Sequence, residues 1–96
     1  MVKTYELTVL VNPSYTPEEV KAVSNAIRKI ITSVNGKVDK EENWGKKALS
    51  YLIKKEREAL FLFFEISVDT QFAQKVEADV RLMDEVRREL FVIKEA

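Results

Sequence analysis

The stretch Ala59-Leu60-Phe61-Leu62-Phe63-Phe64-Glu65-Ile66-Ser67-Val68 decides how this chain folds. Alternation along it puts Leu60, Leu62, Phe64, Ile66 and Val68 on one side, and Phe61, Phe63 and Glu65 on the other. A strand with one face in water alternates apolar with polar, whereas a run apolar on both faces belongs inside a sheet. Residues 59–68 therefore predict the central strand of a sheet, and the remaining segments are placed around it.

Immediately upstream, Lys54-Lys55-Glu56-Arg57-Glu58 is wholly charged and reads as a hairpin turn. The strand entering that turn carries Leu49, Tyr51 and Ile53 in alternation. It starts at Lys37-Val38-Asp39-Lys40, passes the polar Glu41-Glu42-Asn43 and reaches Trp44-Gly45-Lys46-Lys47. Gly45 predicts a bulge or tight bend from which the basic residues project. A helix precedes this strand. Thr16 is its N-cap, Pro17 its first residue and Glu19 the partner in a capping box. Val20, Val23, Ile27, Ile30, Ile31 and Val34 form its apolar stripe, and Asn35-Gly36 supplies a left-handed C-cap. The first strand, 4–11, directs Tyr5, Leu7, Val9 and Val11 to the core and ends at Asn12-Pro13-Ser14.

Downstream of the central strand, Asp69 or Thr70 caps a second helix with the stripe Phe72, Val76, Val80 and Met83. Residues 88–94 form a short last strand. The order is strand, helix, strand, strand, helix, strand, two βαβ halves without a linker. Right-handed crossovers place both helices on one face of a four-stranded antiparallel sheet. The expected fold is α+β, the ferredoxin-like split βαβ (βαββαβ), as one domain over 1–96.

Composition bounds the chemistry. The 96 residues contain no cysteine and no histidine, which removes thiolate chemistry, disulfides, and the commonest general base and metal ligand. Two glycines and no histidine build neither a phosphate-cradling loop nor a Ser/His/Asp set. A non-catalytic protein without cofactor or metal is expected. The amino end has no signal-peptide pattern and no apolar run approaches a membrane span, so a cytoplasmic protein without membrane contact is expected. The 16 basic and 16 acidic residues cancel. A neutral chain that binds nucleic acid does so through a local patch.

One such patch lies at residues 44–55, with Lys46, Lys47, Lys54 and Lys55, no acid, and the rings of Trp44 and Tyr51. Lysines hold phosphate and rings stack on bases. The alternation separates the two roles, however, because Leu49, Tyr51 and Ile53 are sheet residues and Lys54 and Lys55 fall in the turn. Lys46 and Lys47 at the Gly45 bend remain as phosphate candidates, against a merely solvated turn. Trp44 is a stacking residue or a lid over the hairpin. Arg87-Arg88 offers an arginine fork for phosphate, or else pairs with Asp84 or Glu85. Asp39, Glu41 and Glu42 read as a solvated strand rather than a cation site.

On the uncovered sheet face the alternation leaves Leu10, Phe61, Phe63, Leu90 and Val92 pointing to solvent. An exposed apolar patch marks a contact surface. Aliphatic residues mixed with phenylalanine suit a protein interface better than base stacking. Phe61 and Phe63 do alternate as the stacking rings of an RRM do, without the basic-glycine-aromatic signature around them.

In register over nearly its whole length, the chain resembles the bacterial small-subunit ribosomal protein six family. The resemblance rests on Tyr5-Glu6 leading to Asn12-Pro13, Gly36, Trp44-Gly45-Lys46-Lys47 followed by Leu49-Ser50-Tyr51-Leu52-Ile53, and Asp84-Glu85-Val86-Arg87-Arg88. It departs where Leu52 replaces a usual proline, Ala59-Leu60 a common glycine and tyrosine, and Ile93 a usual basic residue. The resemblance implies the same split βαβ fold and a non-catalytic protein of the ribosomal platform. The implied partners are the central domain of small-subunit ribosomal RNA and small-subunit ribosomal protein eighteen. Carried over position by position, the RNA contacts are Lys3, Lys46, Lys47 and Arg88. The exposed residues Leu10, Phe61, Phe63, Leu90, Val92 and Trp44 would seat the protein partner, the isolated chain being a monomer.

Two rivals use the same architecture. An acylphosphatase-like hydrolase needs an arginine in the loop after the first strand, where Asn12-Pro13-Ser14-Tyr15 has none. A regulatory module would use the open face to self-associate or to bind a metabolite.

Overall fold

The computed structural model describes residues 1–53 and 56–94, and the side chains of all of these except 51–53. Its elements are β1 (Val2–Val11), α1 (Pro17–Ser33), β2 (Lys37–Ile53), β3 (Glu56–Asp69), α2 (Thr70–Arg81) and β4 (Val86–Ile93). The sheet order is β2-β3-β1-β4 with every neighbouring pair antiparallel, the ferredoxin-like split βαβ. β3 is interior, as its two apolar faces require.

β1 and β3 pair without interruption from Val2↔Asp69 to Val11↔Leu60. This register puts Tyr5, Leu7, Val9, Val11, Leu60, Leu62, Phe64, Ile66 and Val68 on one face, all buried. Val20, Val23, Ile27 and Ile31 of α1 pack onto that face with Ala73, Val76 and Val80 of α2. Phe91 of β4 closes the core by stacking on Tyr5, centroids 4.9 Å apart.

Both helices start where their caps predict. Thr16 Oγ1 accepts from the Glu19 backbone N–H at 3.2 Å, and Glu19 Oε1 accepts from the Thr16 N–H at 2.9 Å, completing the capping box. Asp69 caps α2 through the Gln71 N–H at 3.1 Å. That hydrogen bond is the first cause holding the Asp69 carboxyl below its ordinary range.

At the end of α1 the left-handed residue is Asn35, with φ of 61°, and not Gly36. The Asn35 N–H donates to the Thr32 carbonyl and the Gly36 N–H to the Ile31 carbonyl, at 3.0 and 2.9 Å, a Schellman closure. Gly36 is needed for space. A Cβ there would meet both the Ile31 carbonyl oxygen and Ile31 Cγ2 at 2.8 Å.

Three strand starts differ from the sequence pattern, the first being that of β1, at Val2 rather than 4. β2 runs through the polar 41–43 as expected, because an edge strand needs only its ladder to β3 and no apolar side chain. Its register shifts between Val38/Lys40, Asn43/Gly45 and Ala48/Ile53. β3 begins at Glu56, so Glu56 to Glu58 are strand rather than turn, while Lys54 and Lys55 lie outside the described residues. β4 begins at Val86, which pairs with Val11 after a register shift. Arg87, at that shift, pairs with Glu56 at 3.0 Å and not with Asp84 or Glu85.

On the helix side of β4 one carboxylate is poorly placed. The Glu89 side chain is only 9% exposed, Arg81 Nε lies 3.9 Å from its Oε1, and its Oε2 has no hydrogen-bond partner. Burial, then the nearby Glu77, push its pKa above the ordinary 4.5, with Arg81 opposing. The folded chain thus binds this proton more tightly than the unfolded one. The resulting stabilisation is complete below the unfolded value and is lost as pH rises through the folded value. Glu89→Gln should raise stability at neutral pH and flatten its fall between acid and neutral conditions, measured as denaturant midpoints across that range. Gly36→Ala should cost about 1–3 kcal/mol, the usual range for overpacking, read as a lowered thermal midpoint.

Candidate nucleic-acid and protein interface

The second sheet face carries no helix. Three rows cross it from β2 to β4 in the register of the ladders. The first is Gly45, Phe61, Leu10, Arg88; the second Glu42, Phe63, Thr8, Leu90; the third Lys40, Glu65, Glu6, Val92. The second and third rows, with Phe61 of the first, floor a shallow open trough of about 510 Å³ that includes Trp44 and Lys94.

Trp44 enters this face by way of the bulge. It is the extra residue between Asn43, opposite Leu62, and Gly45, opposite Phe61. Gly45 takes φ of 77°, which only glycine adopts without strain, and its N–H donates to Asn43 Oδ1 at 2.8 Å. The indole lies parallel to Phe63, centroids 4.8 Å apart and planes 10° from parallel. Its Nε1–H donates to Glu42 Oε1 at 3.2 Å. The Lys47 ammonium lies 4.9 Å from the indole centroid and 5.6 Å from that of Phe61, within cation–π range.

The apolar face is consequently smaller than the strand alternation implies. Leu10 and Phe63, expected in solvent, are each 8% exposed. Trp44 lies stacked on Phe63, and Leu10 lies among Leu49, Phe61 and Leu90 in a neighbouring cavity. Phe61 is half-buried. Leu90, Val92 and Trp44 remain accessible, at 60%, 43% and 41%. Of the two readings for Trp44, the geometry matches the lid. Tyr51, the other ring of the basic strip, belongs to the side chains outside the described set.

The four basic candidates do not form one patch. Lys47 and Arg88 belong to the open face near the Phe61 row. Lys46 sits opposite the core residue Leu60 and so takes the other side of β2. Lys3 pairs with Val68 at the far end of β1, with the parity of Tyr5. Seven residues separate it from Leu10, roughly 24 Å along a strand.

The acidic residues of β2 have structural partners. Asp39 accepts from Ser67 Oγ at 2.5 Å, Glu41 pairs with Arg28 at 2.5 Å, and Glu42 with Lys40 at 3.8 Å. Among the described residues no cluster of carboxylates could hold a metal ion. No helix is long and apolar enough to cross a membrane. What sequence reasoning missed is the meeting of Glu6 and Glu65 across β1 and β3, with Lys94 hydrogen-bonded to Glu65. Only the register, which no local pattern reveals, would have found it.

Known proteins share this fold. The sequence model of the Ribosomal protein S6 family matches residues 4–93. Small ribosomal subunit protein bS6 of Vesicomyosocius okutanii is 33% identical over 97% of this chain and 81% of its own length. The bS6 protein of Rhizobium meliloti is 34% identical over 88% of this chain, which spans 56% of that longer relative. The crystal structure of 30S ribosomal protein S6 from Thermotoga maritima superposes with a TM-score of 0.88 at 27% identity, covering 98% of this chain and 89% of that one. These relatives are structural, non-enzymatic proteins of the bacterial ribosome and hence cytoplasmic. A chain that follows the family's sequence model from its first strand to its last, on the same fold, belongs to the ribosomal protein S6 family.

Proposed function

We propose that this chain binds the central domain of small-subunit ribosomal RNA jointly with small-subunit ribosomal protein eighteen during assembly of the subunit. The observation that carries this reading is the division of the open face. Accessible apolar residues, Leu90, Val92 and Trp44, lie beside a basic end with Lys47 and Arg88. Apolar residues exposed in a contiguous trough suit a protein contact. A base-stacking platform is less well supported, because Phe63 is buried beneath Trp44 and Phe61 is half-covered. The seat of the protein partner is accordingly Leu90, Val92 and Trp44, with Phe61 at its margin and Leu10 and Phe63 as the layer beneath.

RNA meets the basic end. Lys47 on β2 and Arg88 on β4 reach it from the open face at opposite edges of the same end of the sheet, and Lys46 reaches it from the other side of β2, so a phosphate backbone would cross that end from β2 to β4. Lys3 makes a separate RNA contact, about two dozen ångströms away along β1. A chain of zero net charge has little general attraction for RNA, so the protein alone binds weakly and the joint surface with its partner binds well.

Filter binding of the two-protein complex to central-domain RNA tests the basic end. Replacing Lys46 and Lys47 by glutamine should reduce the slope of log affinity against log salt by roughly one per lysine. An unchanged slope removes these residues from the RNA surface. Sedimentation tests the apolar seat: the isolated chain should run as a monomer and shift on addition of protein eighteen. Leu90→Ser with Val92→Ser should abolish that shift without lowering the thermal midpoint, since both side chains are exposed. A stable homodimer of the isolated chain would instead favour a self-associating module.

A further inference from the structure

We infer that the partner segment seated on the open face is apolar and carries a basic side chain, which docks over the Glu6 and Glu65 row, and that Lys94 stands in for it in the free chain. This rests on the reading of that face as a protein-docking surface and adds the chemistry and orientation of the occupant.

Glu6 and Glu65 face each other directly across the two central strands. Like charges so placed destabilise an antiparallel pair. The Glu65 side chain is only 17% exposed, so water screens this repulsion less than at a rim. Few cations offset it. Lys40, opposite Glu65, ion-pairs with Glu42 instead, at 3.8 Å. Lys94 hydrogen-bonds Glu65, and its own backbone N–H donates to the Thr4 carbonyl at 2.9 Å, which fastens this residue against β1. That hydrogen bond, then the charges of Glu65 and Glu6, raise the Lys94 pKa. Its side chain is nevertheless 46% exposed, as fits a displaceable group.

The trough floor thus holds the carboxylates Glu6, Glu42 and Glu65 against the ammoniums of Lys40 and Lys94. Val92 lies directly beside Glu6, and Trp44 and Leu90 lie in or next to the following row. An apolar floor with excess negative charge complements an apolar segment bearing a cation, and repels a phosphate backbone. The same face carries Lys47 and Arg88 at its other end. Its polarity therefore orients the occupants, protein at the acidic rows and RNA at the basic end.

The test is titration calorimetry of protein eighteen against four forms of this chain, with thermal melts of each. Glu6→Gln with Glu65→Gln should melt no lower than the wild type, since a repulsion is removed. It should pair about tenfold more weakly at low salt, with a flatter salt dependence. Lys94→Gln should pair at least as tightly as the wild type, because the row is vacated for the incoming cation. Leu90→Ser should pair weakly. If the double glutamine variant binds like the wild type while Leu90→Ser does not, the charge inference is overturned and the docking face survives. A weakened Lys94→Gln complex also overturns the inference. If the wild type fails to pair, or no variant alters pairing, the inference falls together with the docking reading.

Discussion

The uninterrupted pairing of β1 with β3 is the constraint on which the rest depends. Over ten residue pairs, from Val2↔Asp69 to Val11↔Leu60, it holds one register. A slip by one residue would turn every side chain of one strand to the wrong face. Buried Leu7, Val9, Phe64 and Ile66 forbid that slip, since each fills the space beneath the helices. All register shifts fall instead on the ladders to the outer strands β2 and β4. Irregularity is tolerated there because an edge strand has one neighbour and a solvated outer side.

The outer strands are where the features of the open face arise. The bulge at Gly45 turns Trp44 over Phe63, an aromatic contact of the kind worth about 0.5–1.5 kcal/mol beyond simple burial. Beyond that bend the strand alternation carries Lys47 above the rings and Lys46 to the other face. On the other side, β4 presents Leu90 and Val92 to solvent while packing a half-buried Phe91 against Tyr5. One backbone irregularity and one alternation therefore shape a face that is apolar near β4, cationic near one end and anionic at the other.

Membership of the ribosomal protein S6 family agrees with a chain whose chemistry is that of surfaces. Without histidine or cysteine, its polar groups serve as caps, ion pairs and rims. Thr16, Glu19 and Asp69 start helices, and Arg28 and Glu41 tie α1 to β2. Glu89 is the exception, a nearly buried carboxylate with an unsatisfied oxygen, and the Glu6 with Glu65 pair is a second local cost. Local costs that packing does not require are where function is to be sought.

Most of the fold was legible in the sequence because its signals are local. The capping box at Thr16 and Glu19, the stripe on α1 and the two-faced apolar run at 59–68 each act within a few residues. The resemblance in motifs such as Trp44-Gly45-Lys46-Lys47 was legible too, and with it the family. The left-handed cap expected at Asn35-Gly36 is there, on Asn35, and Gly36 fits against Ile31; the pattern misled where local and tertiary demands diverged. Leu10 and Phe63 have the parity of solvent-facing residues, yet neighbours from β2 and β4 cover them. The separation of Lys3 from Arg88 likewise followed from register, whereas Lys46 and Lys47 part simply because consecutive residues of a strand face opposite sides. By itself, then, the sequence determined the elements, their order and the core, since alternation and capping are written residue by residue. Which side chains meet across the open face was decided only by the tertiary structure, because cross-strand pairing joins residues that no local pattern relates.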